Sequence, residues 1–169
     1  MAGTGNEQAM YDFAPAAGAP KPELYDDLRS AAAALVAGEP DAVANMANIA
    51  ALIWQFVPTL NWAGFYRVAG GELVLGPFIG RPACIRIALG HGVCGTAAAS
   101  GEVQLVPDVH AFPGHIACDA ASASELVVPV IRDGAVIAVI DLDSPEPARF
   151  DANDAAGLSA LAAAIAHAI

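Results

Sequence analysis

The sequence predicts an α+β fold, an antiparallel β-sheet with helices packed against it. Three patterns carry this expectation. Two early segments repeat apolar residues at helical spacing. Two pairs of β-rich segments flank the turn signals Gly70-Gly71 and Asp133-Gly134. A further helical stripe follows them toward the C-terminal end.

The elements follow in order. Residues 1–22 are rich in Ala, Gly and Pro and predict a mobile or loosely docked arm ahead of a single domain over 23–169. Glu23 to about Val36 reads as a helix ended by Gly38 and Pro40. Asp41 then serves as N-cap for a second helix, whose stripe is Val43, Met46, Ala50, Ile53 and Val57, stopped by Pro58. Residues 61–68 and 72–78 form the first hairpin. Residues 80–113 are punctuated by Gly and Pro, with a short strand at 85–87 and a helix at 92–99, and a connection of that length is usually functional. Residues 125–131 and 136–142 form the second hairpin. Asp151 caps the last helix, Phe150 staples its start, and Leu158, Leu161, Ile165 and Ile169 make its apolar stripe.

Composition narrows the function. Of 169 residues 56% are hydrophobic and 15% charged, the reverse of a disordered chain. Acidic residues number 18 against 7 basic ones, a net charge of −11, so phosphate backbones and anionic lipid surfaces are repelled. No apolar run reaches the roughly 18 residues of a membrane span, and no basic-then-apolar leader opens the chain. These features predict a cytoplasmic protein with neither nucleic-acid nor membrane partners. Three cysteines, an odd number, do not read as a structural disulfide framework there.

Asp141 and Asp143 lie two apart in one strand, so both side chains share a face. They are either solvated acids at the strand's rim or part of a site. Glu125 opens the partner strand, and the turn decides its face. A two-residue Asp133-Gly134 loop sets Glu125 opposite Leu142, whereas a three-residue loop with a bulge sets it opposite Asp141. Pro129 leaves the register further open. If the three acids cluster, mutual repulsion keeps one protonated near neutral pH, fit to donate a proton, while the others attract a cation such as a substrate amine.

The cysteines divide by context. Cys94 lies in GHGVCGTA at the glycine-rich start of a helix and reads as a buried small residue. Cys118 lies on a polar, turn-rich stretch beside His115 and Asp119, seven residues before Glu125, and is the better nucleophile candidate. A zinc reading would draw on His110, His115 and Cys118, with Cys84 or an Asp as the fourth ligand, but neither C-x-x-C nor H-E-x-x-H is present. GHGVCG lacks both phosphate-loop spacings. Trp62, Phe65 and Tyr66 read as core or pocket-wall aromatics.

The segments NWAGFYRV, LGPFIGRPACIRI, GHGVCGTAAASGE, LVPDVHAFPGHIACDAASASELVVPV and VIDLDSPEPARFD resemble the free methionine-(R)-sulfoxide reductases, small stand-alone GAF-domain enzymes, over roughly residues 23–168. The resemblance implies a GAF-like sheet of about six antiparallel strands, often in a homodimer, and free L-methionine-(R)-sulfoxide as substrate. It implies Cys118 as nucleophile, Cys84 as resolving cysteine and Cys94 as a further redox participant. It places Glu125, Asp141 and Asp143 as the acidic substrate-binding set, with Trp62 and Tyr66 lining the pocket. Ala88 and His91 depart from the proline and the basic residue common in the family.

The chemistry so implied runs from attack of Cys118 on the sulfoxide sulfur, with a proton from Glu125, to a sulfenic acid and then a disulfide with Cys84. Thioredoxin restores the thiols by family analogy, and no metal, flavin or nucleotide cofactor is called for. Nearby carboxylates disfavour a thiolate at Cys118, which the substrate's cation or coupled proton transfer would have to offset. The alternative is a non-catalytic GAF small-molecule sensor, a reading disfavoured by the lack of room for an output domain in 169 residues.

Overall fold

The structure is a computed structural model that describes residues 13–114 and 120–169. Much of the arm expected over 1–22, and His115, Cys118 and Asp119, lie outside the described residues.

In chain order the elements are α1 (Lys21–Val36), α2 (Ala42–Phe56), β1 (Trp62–Ala69), β2 (Glu72–Gly80), β3 (Arg86–Ala88), α3 (Gly92–Ser100), β4 (Gln104–Val106), a 3-10 turn (Val109–Ala111), β5 (Ser124–Arg132), β6 (Ala135–Ser144) and α4 (Ala152–Ile165). Among the described residues the strands form one six-stranded sheet of order β3-β2-β1-β6-β5-β4, with every neighbouring pair antiparallel. This is the predicted α+β architecture. The edge strand β4 and the 3-10 turn are additions, each too short for a periodic signal. The first helix begins at Lys21, inside the span assigned to the arm.

Local rules set the helix ends. The Asp41 carboxylate accepts from the amides of Val43 and Ala44, as its N-cap reading requires. Asp151 caps α4 in a reciprocal box with Asp154. Asp154 is nearly fully buried and also accepts from the Tyr25 hydroxyl at 3.0 Å and from Lys21 Nζ at 2.5 Å, which ties the start of α1 to the start of α4.

Period two divides the sheet into two faces. One face presents Ala63, Phe65, Leu126, Val128, Ile140 and Leu142, which merge with buried side chains of α1, α2 and α4 into the larger core. The other presents Trp62, Tyr66, Val127 and Val139 to α3 and the segments around it. Four of the five expected α2 stripe residues, Met46, Ala50, Ile53 and Val57, are buried and Ile49 joins them, whereas Val43 in the first turn is 54% exposed.

The register between β5 and β6 matches neither expectation. The turn is the two-residue Asp133-Gly134 loop, pairing Arg132 with Ala135 and Ile131 with Val136. The ladder then resumes with Val130 opposite Ala138, which leaves Ile137 as an extra residue. Beyond that bulge Glu125 lies opposite Asp143, not Leu142 or Asp141. Pro129 is accommodated because it lies past the end of the β4 pairing, which stops at Val127.

Candidate active site

The smaller face of the sheet carries the candidate site. Trp62 pairs with Asp143, Gly64 with Asp141 and Tyr66 with Val139, so β1 and β6 alternate aromatics and acids on one surface. Glu125 joins from β5 through its pairing with Asp143. The structure thus brings together Glu125, Asp141, Asp143, Trp62 and Tyr66, and all five line one cavity.

Cys94 completes the floor. It sits in the first turn of α3, buried, with a free thiol 3.9 Å from Glu125 Oε1. Helix α3 can approach this closely because Gly95 has no side chain. A Cβ there would fall 2.4 Å from the Ala88 carbonyl oxygen. The glycine-rich run around Cys94 is therefore a packing device that delivers a sulfur to the acids. The sequence reading of a small residue packed at a helix start holds, and its place among carboxylates is the part that reading lacked.

The roof is the segment from Arg81 to Cys84. The Trp62 indole nitrogen donates to the Arg81 carbonyl at 3.2 Å, and the Tyr66 hydroxyl donates to the Cys84 carbonyl at 3.0 Å. Gly80, with φ of 137°, lets the chain turn there, since a Cβ would lie 2.6 Å from Trp62 Cδ1. Trp62 stacks between Tyr66 and Phe78, with ring centroids 5.8 and 5.2 Å away. The two aromatics are both buried and cavity-lining, so each bonds the roof with its polar tip while packing its ring below. Cys84 is disulfide-bonded, which removes it from any metal-ligand set in this state.

Burial dominates the electrostatics. It pushes Glu125 well above the usual carboxylate range, with the charges of Asp141 and Asp143 adding to the effect. Burial lifts Asp141 to about 6, against hydrogen bonds to Cys94 and Glu125 that act in the opposite sense. Cys94 is pushed well above a normal thiol by burial and then by Asp141 and Glu125. It is a neutral thiol at physiological pH, and so a hydrogen-bond donor and a poor nucleophile. Tyr66 is raised by burial and by the same acids, and stays protonated. At neutral pH the floor therefore holds more protons than its composition suggests, with Glu125 the natural carrier of a transferable one.

Ser122 and the His91–Val93 stretch also line the cavity, and sequence reasoning assigned none of them a site role. Asn61 donates from Nδ2 to Ser122 Oγ at 3.0 Å, bridging the chain ahead of β1 to that ahead of β5. His110 is exposed, bonded to Asp108, and does not line the cavity. No helix of the described residues is long and apolar enough to cross a membrane.

Comparison with known proteins places the chain. The GAF domain family model matches residues 43–169. The Escherichia coli protein named free methionine-R-sulfoxide reductase is 50% identical over 143 residues, covering 85% of this chain and 87% of that protein. The solved free methionine-R-sulfoxide reductase of Neisseria meningitidis, in complex with its substrate, is 44% identical with a TM-score of 0.89, covering 94% of this chain and 95% of that one. A Burkholderia vietnamiensis chain described as a proposed GAF sensor protein is 57% identical with a TM-score of 0.85, covering 89% of this chain and 96% of its own. The sheet, the cavity and these relatives agree that the chain belongs to the GAF-domain family of free methionine-R-sulfoxide reductases.

Proposed function

We propose that this chain reduces free L-methionine-(R)-sulfoxide to methionine, using Cys118 as nucleophile and Cys84 as resolving thiol. The observation that carries the reading is the acidic floor of Glu125, Asp141 and Asp143 under the Trp62–Tyr66 wall, with Cys84 in the roof. Relatives named for this activity, and one solved with its substrate, support it.

The α-ammonium group of the free amino acid lies against the carboxyl groups of Asp141 and Asp143, an arrangement that an amide nitrogen in a peptide cannot use. The aromatic wall takes the methyl-sulfur end. Cys118 attacks the sulfoxide sulfur as Glu125 passes its proton to the oxygen. Methionine leaves and Cys118 is oxidised to a sulfenic acid. The Cys84 thiol attacks that sulfur, an S–S bond forms and water departs. The sulfoxide has gained two electrons and the two thiols have lost them. An external dithiol, thioredoxin, then reduces the disulfide by exchange. Cys84 is disulfide-bonded whereas Cys94 is a free buried thiol, which supports giving the resolving role to Cys84 and not to Cys94. Cys94 serves as a fixed neutral donor to Glu125.

A stoichiometric reaction without reductant tests the scheme. Fully reduced protein mixed with the R-sulfoxide should yield one methionine per chain and a single Cys84–Cys118 link by peptide mass spectrometry. A Cys84–Cys94 link would overturn the assignment of roles. Ligand binding without methionine release would return the chain to the sensor reading, which the Burkholderia description favours.

A further inference from the structure

The floor has a property that amine recognition does not require. Cys94, Glu125 and Asp141 are all buried, and each offers a ligand atom within 4.8 Å of the others. An ammonium group is satisfied by carboxylates alone, whereas a sulfur set among two carboxylates is the donor set of a thiophilic metal. Asp141 is 6% exposed, lines the cavity, and its Oδ1 has no hydrogen-bond partner. A buried, unbonded carboxylate oxygen is costly unless something is bound to it. The space above it is about 30 Å³, room for a water molecule or two, which suits an ion.

We propose that Cys94, Glu125 and Asp141 form a binding site for a thiophilic divalent cation of the Zn²⁺ class, and that this cation excludes the substrate. Zn²⁺ displaces the Cys94 and Glu125 protons to solvent, and three anionic ligands then hold one dication. The fourth position faces the cavity, where a water or Asp143 completes a tetrahedron. Hard cations are rejected, since Mg²⁺ and Ca²⁺ require six or more oxygens and gain little from sulfur. The metal takes no part in sulfoxide reduction. It occupies the carboxylates that the substrate's ammonium group needs, so the site acts as an inhibitory switch. That second clause rests on the function proposed above, whereas the metal site itself does not.

The test is direct binding of Zn²⁺ by calorimetry to the disulfide-containing protein, with Mg²⁺ as control, and of Cd²⁺ by its thiolate charge-transfer absorbance. A single Zn²⁺ site is expected, weakened about tenfold or more in both Cys94→Ser and Asp141→Asn. The Cd²⁺ band should vanish in Cys94→Ser. Circular dichroism confirms that each variant is folded, and His110→Ala serves as a surface control that leaves binding unchanged. Absence of Zn²⁺ binding, binding unaltered in the two site variants, or a Cd²⁺ band surviving in Cys94→Ser would each overturn the site. In a Cys84→Ser/Cys118→Ser background, where no disulfide holds the roof, methionine sulfoxide should raise the apparent Kd for Zn²⁺. Mutation-sensitive Zn²⁺ binding without that competition would uphold the metal site and remove the substrate from this floor.

Discussion

Glu125 faces Asp143 directly across the β5–β6 ladder because Ile137 is left unpaired where the register shifts. Two acids in that relation, one of them buried, cannot both ionise without repulsion, so Glu125 keeps its proton. Glutamine replaces a neutral carboxyl with a neutral amide of the same shape, so Glu125→Gln should change stability at neutral pH by less than about 0.5 kcal/mol, read by denaturant unfolding. The same variant should lower kcat/KM by about 10²–10⁴-fold. A variant destabilised well beyond that at neutral pH would show that Glu125 is held chiefly by structural bonds.

The pH dependence of stability follows from Asp141. Its carboxyl, lifted from 3.8 to about 6, binds a proton more tightly in the folded than in the unfolded chain. Its contribution is complete below about pH 4 and is lost as pH rises through about 6. Glu125, also raised by burial and by the neighbouring acids, acts in the same sense. Asp151 acts oppositely. The hydrogen bond from Lys21 holds it at about 2, so its stabilisation is present above about pH 4 and lost as pH falls toward 2. Tm should rise as pH is lowered from 8 to about 5 and fall again below about 3. Asp141→Asn should flatten the upper limb, and an unchanged slope in that variant would contradict the assignment.

The sequence made part of this legible, and physical reasons separate that part from the rest. The caps at Asp41 and Asp151 are local hydrogen-bond chemistry, so residue type alone reveals them. Asp141 and Asp143 share a face by strand period, which no tertiary contact can alter. The position of Glu125 was open because a bulge has no sequence signal when it falls in an apolar run such as Val136–Ile140. Cys94 was read as packing because its approach to the acids depends on how α3 docks over Ala88, a long-range event. The exposure of Val43 has the same origin, since an apolar residue at helical spacing does not report what packs over its turn of the helix.

Gly157 of α4 lies under Tyr25 of α1, and a Cβ added there would fall 2.2 Å from Tyr25 Cγ. Two effects compete in Gly157→Ala. Helix propensity favours alanine by about 1 kcal/mol. Against it, the Tyr25 ring must move, and its hydroxyl is bonded to buried Asp154. Overpacking of that kind costs about 1–3 kcal/mol, so the clash wins. Thermal melting should show a lowered Tm. A raised Tm would mean that the α1–α4 contact is loose enough to absorb a methyl group.

The roof supplies the last prediction. The cavity's space of about 30 Å³ is far below the 300 Å³ or so of an ordinary ligand pocket, so the substrate enters only if a wall moves. The Arg81–Cys84 segment is held by the Trp62 and Tyr66 bonds and by the disulfide at Cys84. The covalent tie is the strongest of these. In the proposed cycle, breaking it would free the segment, so that reduction would both regenerate the thiols and open the site. Cys84→Ser should bind methionine sulfoxide at least about tenfold more tightly than the disulfide form, measured on a Cys84→Ser/Cys118→Ser background that cannot turn over. Cys84→Ser alone should still release one methionine per chain and then stall with thioredoxin as reductant. Tyr66→Phe removes one hydrogen bond but keeps the ring, so it should weaken the roof's hold in the disulfide form and narrow the affinity gap. Equal affinity of the oxidised and cysteine-free forms would show that the roof does not gate the site.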